Sequence, residues 1–329
     1  MNNWVEQCYS HLYSRLDSLP QAILIHGPSG LGKLALARIF AQRVLCEGTN
    51  AGPEPCGHCD GCRWFVAGQH PDYRQIEPES LTGVVETDEE GNRPAAGQKK
   101  KPSTEIKIEQ VRDLTDFLNI GSHRARRRIA LFHPAETMNR NAANALLKSL
   151  EDPAPGACLI LVSHQPRGLL ATIRSRCIGF AVRIPDSATG IRWLDAQGIA
   201  SAAEWLGFAG GAPLAAKEFA TSDAGKRMGG WRALLNARPD DLAERLAISD
   251  REQLEPLVEL LQKWAFDQAA QGLGASGKYG LTQLGRGNDV DVDSRRWLEY
   301  AHRLARARLE ARHPVNPKLF LADLLAGMP

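Results

Sequence analysis

The sequence predicts an α/β domain with a parallel sheet over residues 1–184, then a small all-α unit over 185–226 and an all-α C-terminal domain over 227–329. Three observations carry that prediction. Short apolar runs alternate with helix-like segments through the first half, as parallel strands covered on both faces require. A glycine-rich stretch, Gly27-Pro-Ser-Gly30-Leu-Gly32-Lys33, joins the first apolar run to the first long helix. Beyond Pro185 the strand-like runs stop and only helical spacing remains.

A chain of 329 residues exceeds a single small core, and 43% apolar with 24% charged residues is the composition of an ordinary globular protein. The net charge of +2 argues against strong overall attraction to nucleic acid or acidic membranes, leaving only local patches. No apolar run approaches a membrane span, and Met1-Asn-Asn-Trp-Val-Glu lacks the regions of a signal peptide, so a cytoplasmic location is expected.

Residues 4–16 mix aromatics and leucines with charge and predict a short helix. The run Ala22–Ile25 then leads into the glycine loop, with helix-forming residues from Leu34. Strand, glycine loop and helix in that order place backbone N–H groups and a lysine around a nucleotide's phosphates, so Gly27, Gly30, Gly32 and Lys33 are candidate nucleotide-binding residues. Where that motif uses a Ser or Thr hydroxyl to hold Mg²⁺, this chain has Leu34.

Seven cysteines in a reducing compartment point to thiols or metal ligands. Cys46, Cys56, Cys59 and Cys62 form a C-x₉-C-x₂-C-x₂-C array, the chemistry of a closed structural zinc site, with Gly57 and Gly61 permitting tight turns. A cluster of buried free thiols is the alternative, and His58 and His70 are substitute ligands should Cys46 point away. Four thiolates leave no open position for a catalytic water. Cys8, Cys158 and Cys177 read as ordinary apolar residues. The module at 46–62 is thus an insertion after the first long helix, and the segment from His70 enters a second strand.

Residues 78–104 lose periodicity and carry an acidic patch followed by Lys99-Lys-Lys101, which predicts a mobile loop with a solvated charge run. Order resumes in a helix from Ile106 to about Gly121, then a basic run at 124–128, then the strand Ile129–Phe132. An active phosphate-binding-loop ATPase presents acidic residues at the end of that strand. Here His133 and Pro134 stand there, and Glu136 would need a different loop geometry to substitute. A helix follows with Ala143, Leu146, Leu147 and Leu150 on one face, stopped by Pro153. Cys158–Ser163 predicts a fourth strand, and Leu169–Phe180 a helix turning into a fifth. Long helices are predicted at 231–248, 251–271 and 294–312, the last with an apolar stripe of Trp297, Ala301 and Leu304 and an off-stripe set of Arg303, Arg306, Arg308 and Arg312.

Several motifs together resemble the clamp-loader subunits of the AAA+ class. They are the loop 27–33, the four grouped cysteines, His70-Pro-Asp-Tyr73, Asn141-Ala-Ala-Asn-Ala-Leu-Leu-Lys148, Leu169 to Cys177, and Val315 to Leu325. The likeness spans nearly the whole chain except 78–104 and much of 226–312. It implies a zinc-bearing AAA+ domain, a helical lid at 185–226 and a helical oligomerisation collar at 227–329. It also implies a heteropentamer of motor and clamp-opening subunits, serving a DNA polymerase III holoenzyme (a nucleotidyltransferase), that opens a ring-shaped sliding clamp and places it on primer-template DNA. Ser175-Arg176-Cys177 then carries an arginine finger for a neighbour's ATP, with Arg174 close by, and Pro213 stands about where an active member has a phosphate-sensing arginine. Leu34, His133-Pro134 and Pro213 together imply a chain that does not hydrolyse ATP in its own site. Two other readings stay open: an ATPase or nucleotide switch resting on the intact Gly27–Lys33 loop, and a zinc-dependent nucleic-acid-binding protein resting on the cysteines and the basic run.

Overall fold

A computed structural model describes residues 2–48, 52–82, 102–119, 127–235, 245–246, 248, 253–281, 293–311 and 313–329. Two compact units divide the chain, residues 1–184 and 185–329. No helix among the described residues is long and apolar enough to cross a membrane.

The first unit runs α1 (Asn3–Tyr13), β1 (Ala22–His26), α2 (Lys33–Leu45), α3 (Asp60–Val66), β2 (Tyr73–Ile76), α4 (Glu79–Thr82), α5 (Ile108–Asn119), β3 (Arg128–Phe132), α6 (Arg140–Glu151), β4 (Ala157–Ser163), α7 (Ala171–Arg174) and β5 (Ile178–Ala181). Its five strands form an all-parallel sheet in the order β2-β3-β4-β1-β5. Every residue of β3 and β4 is buried, as are the first four of β1, whereas the edge strand β5 is largely exposed. Strands covered on both faces need uninterrupted apolar runs, which is why Ile129–Phe132 and Cys158–Val162 show no alternation. Helix α6 starts at Asn139, whose side chain accepts from Ala142 N (2.8 Å), and buries Ala142, Ala143 and Leu146 in the sheet's core, with Leu147 and Leu150 partly buried beside them. The edges of the expected 78–104 loop are ordered: α4 forms at 79–82, and Glu79 accepts from Ser103 N (2.9 Å) and pairs with Lys107. Its centre, including the acidic patch and Lys99–Lys101, lies outside the described residues, as do residues 124–126 of the basic run.

His70-Pro-Asp-Tyr73 works as a structural joint. Asp72 is 2% and Arg128 4% exposed at the side chain, with Arg128 Nε 3.3 Å from Asp72 Oδ1. The Arg128 guanidinium also donates to Phe117 O at the end of α5 and lies over the Phe117 ring, 4.7 Å from its centroid. Asp72 O accepts from Ile129 N (2.9 Å), so one aspartate ties the entry of β2 to β3 by backbone and side chain together.

The second unit is helical: α8 (Ser187–Ala196), α9 (Ala202–Phe208), α10 (Pro213–Thr221), α11 (Asp223–Leu234), α12 (Leu254–Gly272), α13 (Ser294–Glu310) and α14 (Pro317–Ala326). Leu194, Ala202, Leu206 and Ala216 form a small cluster among α8, α9 and α10. A larger core gathers Leu257, Val258, Leu261 and Leu304, with Trp264 and Trp297 edge to face at 4.8 Å. The expected helix at 231–248 differs in position, since α11 begins at Asp223 under a Ser222 cap and runs through residue 226; residues 236–244 lie outside the described residues. Pro213 takes the first turn of α10, where its missing N–H leaves no bond unmade. On α13, Arg303 pairs with Asp323 (2.8 Å) and Arg308 with Glu259 (2.8 Å), as a solvated face would, while Arg312 lies outside the described residues.

Removing one partner of a buried ion pair strands the other charge. Asp72→Ala is therefore expected to lower unfolding free energy by about 3 kcal/mol in denaturant titration, against little change for Asp323→Ala at the exposed pair.

Candidate nucleotide, metal and finger sites

Cys46 caps the C-terminal end of α2, and Cys59 caps the N-terminal end of α3, its Sγ accepting from Cys62 N. With Cys56 and Cys62, their four sulfur atoms lie within 4.8 Å of one another. The Cys46–Cys59 and Cys56–Cys62 separations are 4.0 and 3.9 Å, close to the ~3.8 Å edge of a tetrahedron with metal–sulfur bonds of about 2.3 Å. Backbone N–H groups of Glu47, Gly48, Cys56, Cys59 and Cys62 point at these sulfurs over 3.3–3.4 Å, as they would to support thiolates. Those of Cys59 and His58 pull the Cys56 thiol down to about 6. Cys46 thus faces into the cluster, while His58 turns to Cys56 O and His70 accepts from Asp72 N, so neither histidine is needed as a substitute. A Cβ on Gly61 would stand 2.7 Å from Leu45 O, which is what lets α3 pack onto the end of α2. By donor chemistry and spacing the four cysteines fit a structural zinc ion. Burial pushes the thiols of Cys8, Cys158 and Cys177 up to about 11, 12 and 11, as expected of inert apolar residues.

The glycine loop leaves the end of β1. A Cβ on Gly27 would lie 2.3 Å from Val182 O, so only glycine lets the loop pass there. Gly32, in the left-handed region at φ 84°, starts α2. Trp4 donates to Leu31 O (3.0 Å) and fixes the loop from α1. Lys33 is 1% exposed and its Nζ donates to Pro28 O inside the loop. Burial lowers its pKa to about 8, with Glu136 opposing, so the ammonium remains mostly protonated at neutral pH. Leu34 is partly buried and offers no oxygen.

Glu136 is the residue that sequence reasoning undervalued. A 3₁₀ turn, Ala135–Thr137, folds the carboxylate back toward the end of β4, where Oε1 accepts from the N–H groups of His164 (2.9 Å) and Gln165 (3.1 Å). Its Oε2 is buried without a hydrogen-bond partner among the described residues, as is His164 Nδ1. Burial and the nearby Lys33 hold the His164 pKa at about 4, so this imidazole is neutral at pH 7. His133 contacts Glu77 (2.8 Å) and stacks edge to face on His164 at 5.2 Å. The end of β3 therefore does present a carboxylate to the region of Lys33, by way of Glu136 rather than positions 133–134. His164 went unnoticed in the sequence, where the available signal was two polar residues closing an apolar strand.

Arg176 follows α7. Its Nη1 donates to Thr172 O (3.0 Å) and its Nη2 to Glu151 Oε1 (2.7 Å). It lines an open cavity of about 450 Å³ with Leu19, Gln21, Ala22, Ser149 and Ile178. Gln21 and Ala22 stand at the beginning of β1 and Ile178 at the beginning of β5, level with Ile23. The glycine loop sits at the other end of β1, about 13 Å further along at roughly 3.3 Å per residue. Arg174 is exposed on the same short helix.

A parallel sheet with a glycine loop and buried lysine at the end of an inner strand defines a phosphate-binding-loop α/β protein. The family model described as "DNA polymerase III, delta subunit" matches residues 6–185, and the chain belongs to that family. It is 38% identical over 218 residues to DNA polymerase III subunit delta' of Pseudomonas aeruginosa, covering 65% of this chain and 60% of the relative. Identity to the delta' subunit of Yersinia pestis is 31% over 261 residues, covering 77% and 66%. The chain thus spans about two thirds or less of the length of these delta' relatives. A solved DNA polymerase III gamma subunit-related protein from Thermotoga maritima aligns over 97% of both chains at 19% identity and TM-score 0.45.

Zinc analysis of the purified protein is expected to give about one ion per chain. Cys59→Ser should lower both zinc content and the unfolding midpoint, whereas Cys158→Ser should leave zinc content unchanged.

Proposed function

We propose that the protein is a clamp-loader subunit of the bacterial replicase: an AAA+ domain whose own site does not hydrolyse ATP and which offers Arg176 to ATP held by a neighbouring motor subunit. The observation that carries this reading is the position of Arg176, at the opposite end of β1 from the chain's own loop. An arginine so placed has no reach to its own nucleotide. On a neighbour, a permanently charged planar guanidinium stabilises charge developing on the γ-phosphate. In its own site, Leu34 supplies no Mg²⁺ ligand and His133-Pro134 supplies no carboxylate pair. The family relationship supports the same reading through relatives named for DNA polymerase III.

Residues 185–226 act in this scheme as the lid and 227–329 as the collar that joins the other subunits. The sliding clamp and primer-template DNA are the assembly's substrates, and zinc holds the 46–62 insertion without entering the chemistry. A second reading, nucleotide binding or hydrolysis in the chain's own pocket, is favoured by one observation: the Glu136 carboxylate lies near enough to Lys33 to raise its pKa.

ATP turnover separates the two. The isolated chain is expected to be silent, and the assembly reconstituted with motor subunits active. Arg176→Ala should reduce turnover at the site it serves by about 10³-fold. Undiminished turnover in that variant would remove the finger assignment, and turnover by the isolated chain would establish the second reading.

A further inference from the structure

The carboxylate on Arg176 comes from the far end of another helix. Glu151 is the last residue of α6, 25 positions earlier in the chain, and its Oε1 lies 2.7 Å from Arg176 Nη2. Thr172 O, on α7, holds Nη1 at 3.0 Å. We propose that Glu151 is the positioning residue of the finger: with the Thr172 carbonyl it fixes the orientation in which the guanidinium meets the neighbour's phosphate. This rests on the reading of Arg176 as a finger acting in trans.

Three physical points support it. The first is geometric. Two anchors on different helices engage one N–H on each terminal nitrogen and define the plane of the fork, while the remaining N–H groups stay available to an incoming anion. The guanidinium is oriented before the nucleotide arrives, as a group acting on a transition state should be.

The second is a local conflict. A helix ends in unpaired carbonyls that disfavour negative charge, yet α6 closes on Glu151, with Asp152 as its cap. Helix stability alone gives no reason for a carboxylate there, and residues that break a local rule concentrate where function needs them. The third is exposure. The side chains of Arg176 and Glu151 are 36% and 55% exposed, so the pair adds little to folding and its purpose is not to hold the domain together.

The test is a double-mutant cycle on ATP turnover in the fully reconstituted assembly, using Glu151→Ala, Glu151→Gln, Arg176→Ala and the Glu151→Ala/Arg176→Ala pair. Glu151→Ala is expected to lower kcat about tenfold, with KM for ATP and the thermal unfolding midpoint of the subunit unchanged. Glu151→Gln keeps an acceptor oxygen and should recover most of the loss. In the double variant, the loss of Glu151 should add nothing to that of Arg176. Wild-type or faster turnover by Glu151→Ala, alongside an impaired Arg176→Ala, would overturn the positioning role and leave the finger intact. A double variant slower than Arg176→Ala would overturn it too, by showing that Glu151 acts elsewhere. If Arg176→Ala itself were unimpaired, the finger reading would fail, and the positioning role with it.

Discussion

All five strands of the sheet run the same way, and that shared polarity governs everything the domain can do with its charges. Strand C-termini gather at one end, where helix N-termini and backbone N–H groups face a common hollow suited to anions. Strand N-termini gather at the other, together with the C-terminal ends of the returning helices. Lys33 belongs to the first end. Arg176 and Glu151 belong to the second, beside the starts of β1 and β5. The two cations that the sequence motifs single out are thus kept apart by the fold.

The loop end carries a small set of polar side chains around Lys33 and Glu136. Lys33 keeps its charge under burial because Glu136 offsets part of the desolvation, and it spends one hydrogen bond on the loop's own Pro28 carbonyl. Glu136 is held in turn by two backbone N–H groups beyond β4. His164 is neutral because burial disfavours the imidazolium and Lys33 adds like-charge repulsion. The result is a compact internal network, in which neither Leu34 nor His133-Pro134 contributes a metal-binding oxygen.

Much of this was legible in the sequence wherever the signal is local. Apolar runs without alternation marked β1, β3 and β4, because strands buried on both faces admit nothing else. Cysteine spacing marked the cluster, because a tetrahedral site constrains the chain over short range. The unread parts depend on contacts between distant residues. The fold-back of Glu136 is decided by N–H groups 28 and 29 residues later, and the Glu151–Arg176 pair by a 25-residue separation. The Asp72–Arg128 joint gave a motif its meaning only once β2 lay beside β3. The shift of the expected 231 helix start to Asp223 has a simpler cause. Gly225, Gly229 and Gly230 lower helix propensity along α11, and tertiary packing of Met228 and Trp231 into the core overrides them.

The central claim is that Arg176 faces another subunit's nucleotide and not this chain's own. A photoreactive ATP analogue, activated through its γ-phosphate in the reconstituted assembly, tests it by contact, with the labelled peptides read by mass spectrometry. The account predicts label on the segment around Arg176, lost when the neighbouring subunit cannot bind ATP. Label confined to the segment from Gly27 to Leu34 of this chain would contradict it and would make the protein's own pocket the seat of the chemistry.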